Sequence, residues 1–131
     1  MTEQILLEQH LGNIGKPLEA QDLTIYATNL RVEFPFAPEG HTPSLDGPEA
    51  LGKFLAAIST FTTGHQITQL ETATFEGGFV IEYEESSTFR GTGRTYASRI
   101  VWTARVESGK IVRLREHYNP LRVLEALGEL E

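Results

Sequence analysis

The chain has no cysteine. Disulfides, thiolate catalysis, and zinc or iron–sulfur sites built on Cys are thereby excluded. It is also short of positive charge: 11 Lys and Arg stand against 18 Asp and Glu, a formal net charge of −7. That balance argues against nucleic acid as a partner, because phosphate contacts need clustered basic side chains. No apolar run approaches the roughly 20 residues of a membrane-spanning helix. The start, Met1-Thr2-Glu3-Gln4, lacks a basic leader segment, so the expectation is a cytoplasmic protein with no membrane partner. The charged fraction of 22% and hydrophobic fraction of 40% are those of an ordinary globular domain, and 131 residues suit a single one.

Leu7, His10, Leu11 and Ile14 recur at helical spacing behind Thr2 as an N-cap. A second short helix is expected from about Pro17 to Ala27, and a strand over Leu30–Phe34, which Pro35 confines to an end or edge. Ala37 to Gly47, rich in Pro and Gly and carrying His41 and Asp46, reads as a surface loop of functional length. Pro48 opens a third helix with Leu51, Phe54, Leu55 and Ile58 on one face. Four strands follow, His65–Phe75, Phe79–Phe89, Tyr96–Val106 and Ile111–Tyr118, then a short helix over Pro120–Leu127. The order implies an α+β fold, with helices gathered on one face of a curved antiparallel sheet that forms a cone with room for a ligand.

In the last strand, alternation puts Val112, Leu114, Glu116 and Tyr118 on one face and Ile111, Arg113, Arg115 and His117 on the other. Reading Glu107-Ser108-Gly109 as a three-residue turn sets Ala104 against Val112, Trp102 against Leu114 and Ile100 against Glu116. The apolar faces then coincide, and Arg99, Thr103, Arg105, Arg113 and Arg115 form a basic stripe on the opposite face. Glu116 is left as a carboxylate among inward-pointing hydrophobes. Such a group is either partnered by an arginine or amide, or it is a proton donor or acceptor whose pKa burial has raised.

His10, on the apolar side of the first helix, is either a satisfied core histidine or a group that polarises a carbonyl or relays a proton to Glu116. Trp102, Tyr118, Tyr83, Tyr96, Leu114, Phe34 and Phe36 are expected to line a pocket suited to a flat, hydrophobic ligand. His41 and Asp46 are placed at its mouth. His65 reads as a polar strand terminus, and Glu82, Glu84 and Glu85 as cross-strand partners of Arg99 or Arg113. No pair of histidines has metal-ligand spacing, so neither metal nor cofactor is expected.

The helix pair ending in Ile25-Tyr26-Ala27 and the segments Val32-Glu33-Phe34-Pro35-Phe36, Asp46-Gly47-Pro48-Glu49-Ala50-Leu51 and Gly93-Arg94-Thr95-Tyr96 resemble the nuclear-transport-factor-2-like superfamily. So does the ending from Gly109-Lys110-Ile111-Val112-Arg113 to Tyr118-Asn119-Pro120-Leu121-Arg122, and the branch it resembles is the SnoaL-like and ketosteroid-isomerase-like one. The resemblance implies the cone fold, a homodimer paired through the outer sheet face, and isomerase, cyclase, dehydratase or plain binding activity. The base, the oxyanion-hole tyrosine and the protonated aspartic acid of ketosteroid isomerases would fall at Phe34, His10 and near Trp102, and none is kept. Glu116 and His10 are the replacements the resemblance leaves. Three functions stay open: a cofactor-free enzyme acting on a hydrophobic carbonyl compound, a small-ligand binder, and a dimeric adaptor.

Overall fold

The computed structural model describes residues 2–130. Helix α1 (Glu3–Asn13) starts where the Thr2 side chain accepts from the Ile5 amide, and it buries Leu6, Leu7, His10 and Asn13. The expected second helix is instead two 3-10 turns, Leu18–Ala20 and Leu23–Ile25, the second capped by Asp22. Tyr26, expected at the end of that helix, begins strand β1 (Tyr26–Glu33), four residues before the expected strand start. Three residues of the long loop form a further strand, β2 (Ser44–Asp46), antiparallel to β1. The loop's Pro and Gly content hid it, because a three-residue strand leaves almost no periodicity to read.

Helix α2 (Pro48–Phe61) carries Pro at its first turn, as expected, and buries Leu51 and Leu55. It runs directly into β3 (Thr62–Phe75), followed by β4 (Gly78–Phe89), β5 (Thr95–Glu107), β6 (Lys110–His117) and helix α3 (Pro120–Leu127). The six strands lie in the order β2-β1-β6-β5-β4-β3. The sheet is mixed rather than wholly antiparallel, since β1 runs parallel to β6. The architecture is α+β, with the helices on a curved, unclosed sheet. The core packs Leu6, Leu7, Leu51 and Leu55 against Ile81, Ile100, Trp102 and Leu114 from the inner face.

The last hairpin corrects the expected register. Ser108 and Gly109 both have positive φ and make a two-residue turn, so Glu107 faces Lys110 and Val106 faces Ile111. A bulge then inserts one residue at Val112, after which Ala104 faces Leu114 and Trp102 faces Glu116. The bulge reverses the alternation. Ile111 is buried on the inner face and Val112 is only half-buried, while Leu114 and Glu116 point inward as expected. Among the described residues no helix is long and apolar enough to cross a membrane.

Candidate functional site

A cavity of about 480 Å³ opens between α2, the inner face of β4–β6 and α3. Its floor holds Phe34, Ile100, Tyr96, Glu116, Glu85, Ser87 and Thr62, each no more than 9% exposed. Its rim holds His41, Thr42, Phe61, Gly91, Thr92, Val123 and Leu127. Two aromatic pairs wall it: Phe34 against Phe54, ring centroids 4.8 Å apart, and Phe89 against Tyr96 at 5.4 Å.

Glu116 reaches this floor because the bulge at Val112 keeps the even-numbered end of β6 turned inward. The side chain is 8% exposed, and among the described residues it makes no hydrogen bond. Burial, and then the negative charge of Glu85, hold its pKa well above the ordinary carboxylate value. Glu85 arrives from β4, whose alternation turns Phe79, Ile81, Tyr83, Glu85 and Ser87 to the inner face. Its Oε1 lies 2.8 Å from His65 Nε2, and both side chains are mostly buried. Thus two carboxyl groups face one apolar cavity. The phenols of Tyr96 and Tyr118 share it, and burial raises the pKa of both.

Of the residues expected at the site, Glu116, Tyr118, Phe34, Tyr96 and His41 line the cavity. His10, Trp102, Tyr83 and Leu114 do not; they belong to a fully covered layer of the core. The covering follows from position: the apolar face of α1 lies on the sheet, so what that face carries is sealed there. Asn13 fixes the chemistry of this layer. Its Oδ1 accepts from the Asp22 amide at 2.9 Å, so its Nδ2 donates to the Tyr26 hydroxyl at 3.2 Å. The Tyr26 hydroxyl also lies 2.7 Å from His10 Nδ1, and among the described residues His10 Nε2 is buried with no hydrogen-bond partner. Burial lowers the His10 pKa to about 3, so the ring is neutral. The ring stands edge-on to Trp102 at 4.7 Å, and Trp102 Nε1 donates to the Tyr83 hydroxyl at 3.0 Å.

Phe36 is 55% exposed and packs its ring against His117 outside the cavity. Of the acidic segment on β4, Glu82 and Glu84 do pair with Arg99 on the outer face. Arg115 Nε donates to Glu33 at 2.9 Å, so two arginines of the basic stripe are satisfied within the chain. Glu85 is the residue that was misplaced. The signal for it was present, since its odd position puts it in phase with Phe79, Ile81 and Tyr83. Asp46, expected at the mouth, instead pairs with Arg31 on the sheet edge.

No family model matches the chain. It is 27% identical over 110 residues to the uncharacterised protein YesE of Bacillus subtilis (strain 168), covering 79% of this chain and 72% of that protein. Among solved structures, it superposes with TM-score 0.80 and 23% identity on a Bacillus subtilis protein provisionally described as an isomerase, covering 99% and 98% of the two chains. A protein of Catenulispora acidiphila with a ketosteroid-isomerase-like fold, solved in complex with trimethylamine, superposes with TM-score 0.73 at 16% identity over 98% and 95%. The chain has the nuclear-transport-factor-2-like fold. At these identities the likeness carries the architecture, and the chemistry has to be argued from the cavity.

Proposed function

We propose that the protein is a small-molecule-binding protein whose cavity performs cofactor-free acid–base chemistry on a hydrophobic carbonyl compound, as an isomerase, cyclase or dehydratase. The observation that carries this reading is Glu116, a buried carboxyl group with no hydrogen-bond partner among the described residues, at the floor of an aromatic-walled cavity. A structural carboxylate would be tied to a cation or an amide; this one is open to whatever enters. Because its pKa is raised, it keeps its proton to higher pH than an ordinary carboxyl group and can donate it to a carbonyl oxygen.

Glu85 supplies the complementary group. In an enolisation the Glu85 carboxylate takes the proton from the carbon next to the carbonyl, and Glu116 gives its proton to the oxygen as the C–H electrons move into the enol. Returning a proton to a different carbon completes an isomerisation, and attack by the enol carbon on a second electrophile completes a ring closure. His65 holds the base in place through Glu85 Oε1. Tyr118 and Phe34 would orient the ligand, with His41 at the rim. The role considered for His10 is dropped, because its ring is covered and faces Tyr26 and Trp102.

A dimer paired through the outer sheet face belongs to the same proposal, as does a cytoplasmic location. The dimer is supported by the outer face of β4 and β5, where the side chains of Val80, Val101 and Thr103 are only half-buried. Arg105 and Arg113 face each other across β5 and β6 on that side, a like-charge pair that acidic groups of a second copy would relieve.

The test is hydrogen exchange at the α-carbon of an aryl methyl ketone, 4-tert-butylacetophenone, followed by proton NMR in D₂O. General acid–base catalysis contributes about 10²–10⁴-fold, so Glu116→Gln should slow the exchange by that order. A wild-type rate no faster than buffer, together with a Glu116 pKa near 4.3, would leave a ligand binder with no acid–base role.

A further inference from the structure

The cavity has no positive group of its own. Its ionisable lining residues are Glu85, Glu116, Tyr96, Tyr118 and, at the rim, His41; among the described residues no Lys or Arg reaches it. His41 is engaged outward, its Nε2 lying 3.2 Å from Glu129 Oε1. His65 stands behind Glu85 rather than on the wall. The remaining walls are the rings of Phe34, Phe54, Phe89 and Tyr96, whose faces are the negative ends of their quadrupoles.

Every strong electrostatic feature that a guest would meet is therefore of one sign. His65 meets Glu85 Oε1 from behind the wall, and on the cavity side a cationic guest would add the counter-charge that no Lys or Arg supplies. Glu116, nine-tenths buried and without a partner, is the second sign that the site is completed by something from outside. A carboxylate or phosphate would meet like charge with no basic group to offset it.

We infer that the carbonyl compound taken by this cavity is an organic monocation, with a protonated amine or quaternary ammonium group on its apolar body and no anionic group. This rests on the proposed reading in taking the same cavity as the site. It goes further in fixing the charge of the substrate. The cationic group would lie against the Phe89–Tyr96 pair within the field of Glu85, leaving the Glu85 carboxylate for the α-carbon and the Glu116 proton for the carbonyl oxygen. The net charge of −7 would steer such a ligand toward the protein and repel an anion.

Three aryl methyl ketones of nearly equal size test it by titration calorimetry: 4-acetyl-N,N,N-trimethylanilinium, 4-tert-butylacetophenone and 4-acetylbenzoate. Wild-type protein should bind the cation about tenfold or more tighter than the uncharged tert-butyl compound, and the anion most weakly. Glu85→Gln should remove the preference while the tert-butyl compound still binds, which also reports that the variant is folded. Equal affinity for cation and neutral ketone, tighter binding of the anion, or no binding of the cation each overturns the inference. All three compounds carry the same acetyl group, so the two readings fail separately. Loss of charge preference with α-proton exchange intact removes only the inference, whereas charge preference without exchange removes only the acid–base reading.

Discussion

Glu85 and Glu116 face one cavity from β4 and β6, on either side of β5, and the charge of the first helps to keep the second protonated. Neither residue is near the other in sequence. The pairing depends on two local decisions: the odd-numbered face of β4 turning inward, and the bulge at Val112 that brings the even-numbered end of β6 to the same side. Removing the bulge would set Glu116 against Val101, send it to the outer face and leave the cavity with one carboxyl group.

The relationship has a consequence for stability. A carboxyl group whose pKa is raised in the folded state binds its proton more tightly there than in the unfolded chain. Its stabilising contribution is complete below the ordinary value, about 4.3, and is lost as pH rises through the raised value. Each unit of displacement is worth about 1.4 kcal/mol. Glu116→Gln keeps the shape and removes the titration, so its melting temperature should exceed that of wild type by a margin that widens with pH above about 4.3. Glu85→Gln should narrow the same margin without closing it, since burial comes before Glu85 among the causes. Thermal melts of the three proteins from pH 4 to 9 decide this; a margin that does not change with pH would mean that Glu116 is already ionised in the folded state.

His10 has the opposite sign. Its pKa falls from 6.5 to about 3 because the ring is buried, so the folded protein keeps it neutral while the unfolded chain protonates it. Stability is then full above pH 6.5 and is lost as pH falls toward 3, at up to about 1.4 kcal/mol per unit. Replacing His10 with Phe should flatten that acid limb. At neutral pH the same change should cost about 1–3 kcal/mol, because the buried Tyr26 hydroxyl loses its hydrogen bond to the ring. Urea unfolding of both proteins at pH 4 and pH 7.5 would show the variant's deficit shrinking at the lower pH. An equal deficit at both would sink the account of a neutral, sealed imidazole.

These residues also mark what could be read in the chain before its structure. The strand pattern, the Pro48 helix start and the inward turn of Glu116 were legible, because alternation and capping are local and each leaves several residues of signal. The hairpin register was not. Ser108-Gly109 can close a two-residue turn as readily as it can end a three-residue one, and a bulge has no periodicity of its own. Glu85 was obscured by its neighbours: within Glu82, Tyr83, Glu84 and Glu85, charge suggests one solvated face, whereas parity splits the segment between two. His10 was legible as buried, but helix periodicity cannot tell a wall of the cavity from the layer beneath it. The parallel pairing of β1 with β6 joins segments some 80 residues apart, and nothing local in either records it.

Helix α3 closes the rim from outside the sheet, and its attachment is mostly through its last turn. Thr92 Oγ1 donates to the Ala126 carbonyl at 2.6 Å, and Arg94 Nη1 donates to the Glu125 carbonyl at 2.8 Å. Gly128 at φ 78° lets its own amide reach Glu125 O and the Glu129 amide reach Leu124 O. A side chain at Gly128 would have room, its nearest neighbour being Thr92 Cγ2 at 3.8 Å, so the cost of Gly128→Ala is the left-handed backbone, about 1 kcal/mol. The cost falls on an eight-residue helix that is itself marginal, and the core strands do not share it. Amides of Val123–Leu127 should therefore exchange with D₂O about fivefold faster in the variant, while those of β4 and β5 and the global melting temperature stay nearly unchanged. Because Val123 and Leu127 line the rim, ligand dissociation should quicken by a similar factor. If the whole sheet exchanged faster in step with α3, the helix would be part of the single cooperative unit, and entry to the cavity would have to lie elsewhere on the rim.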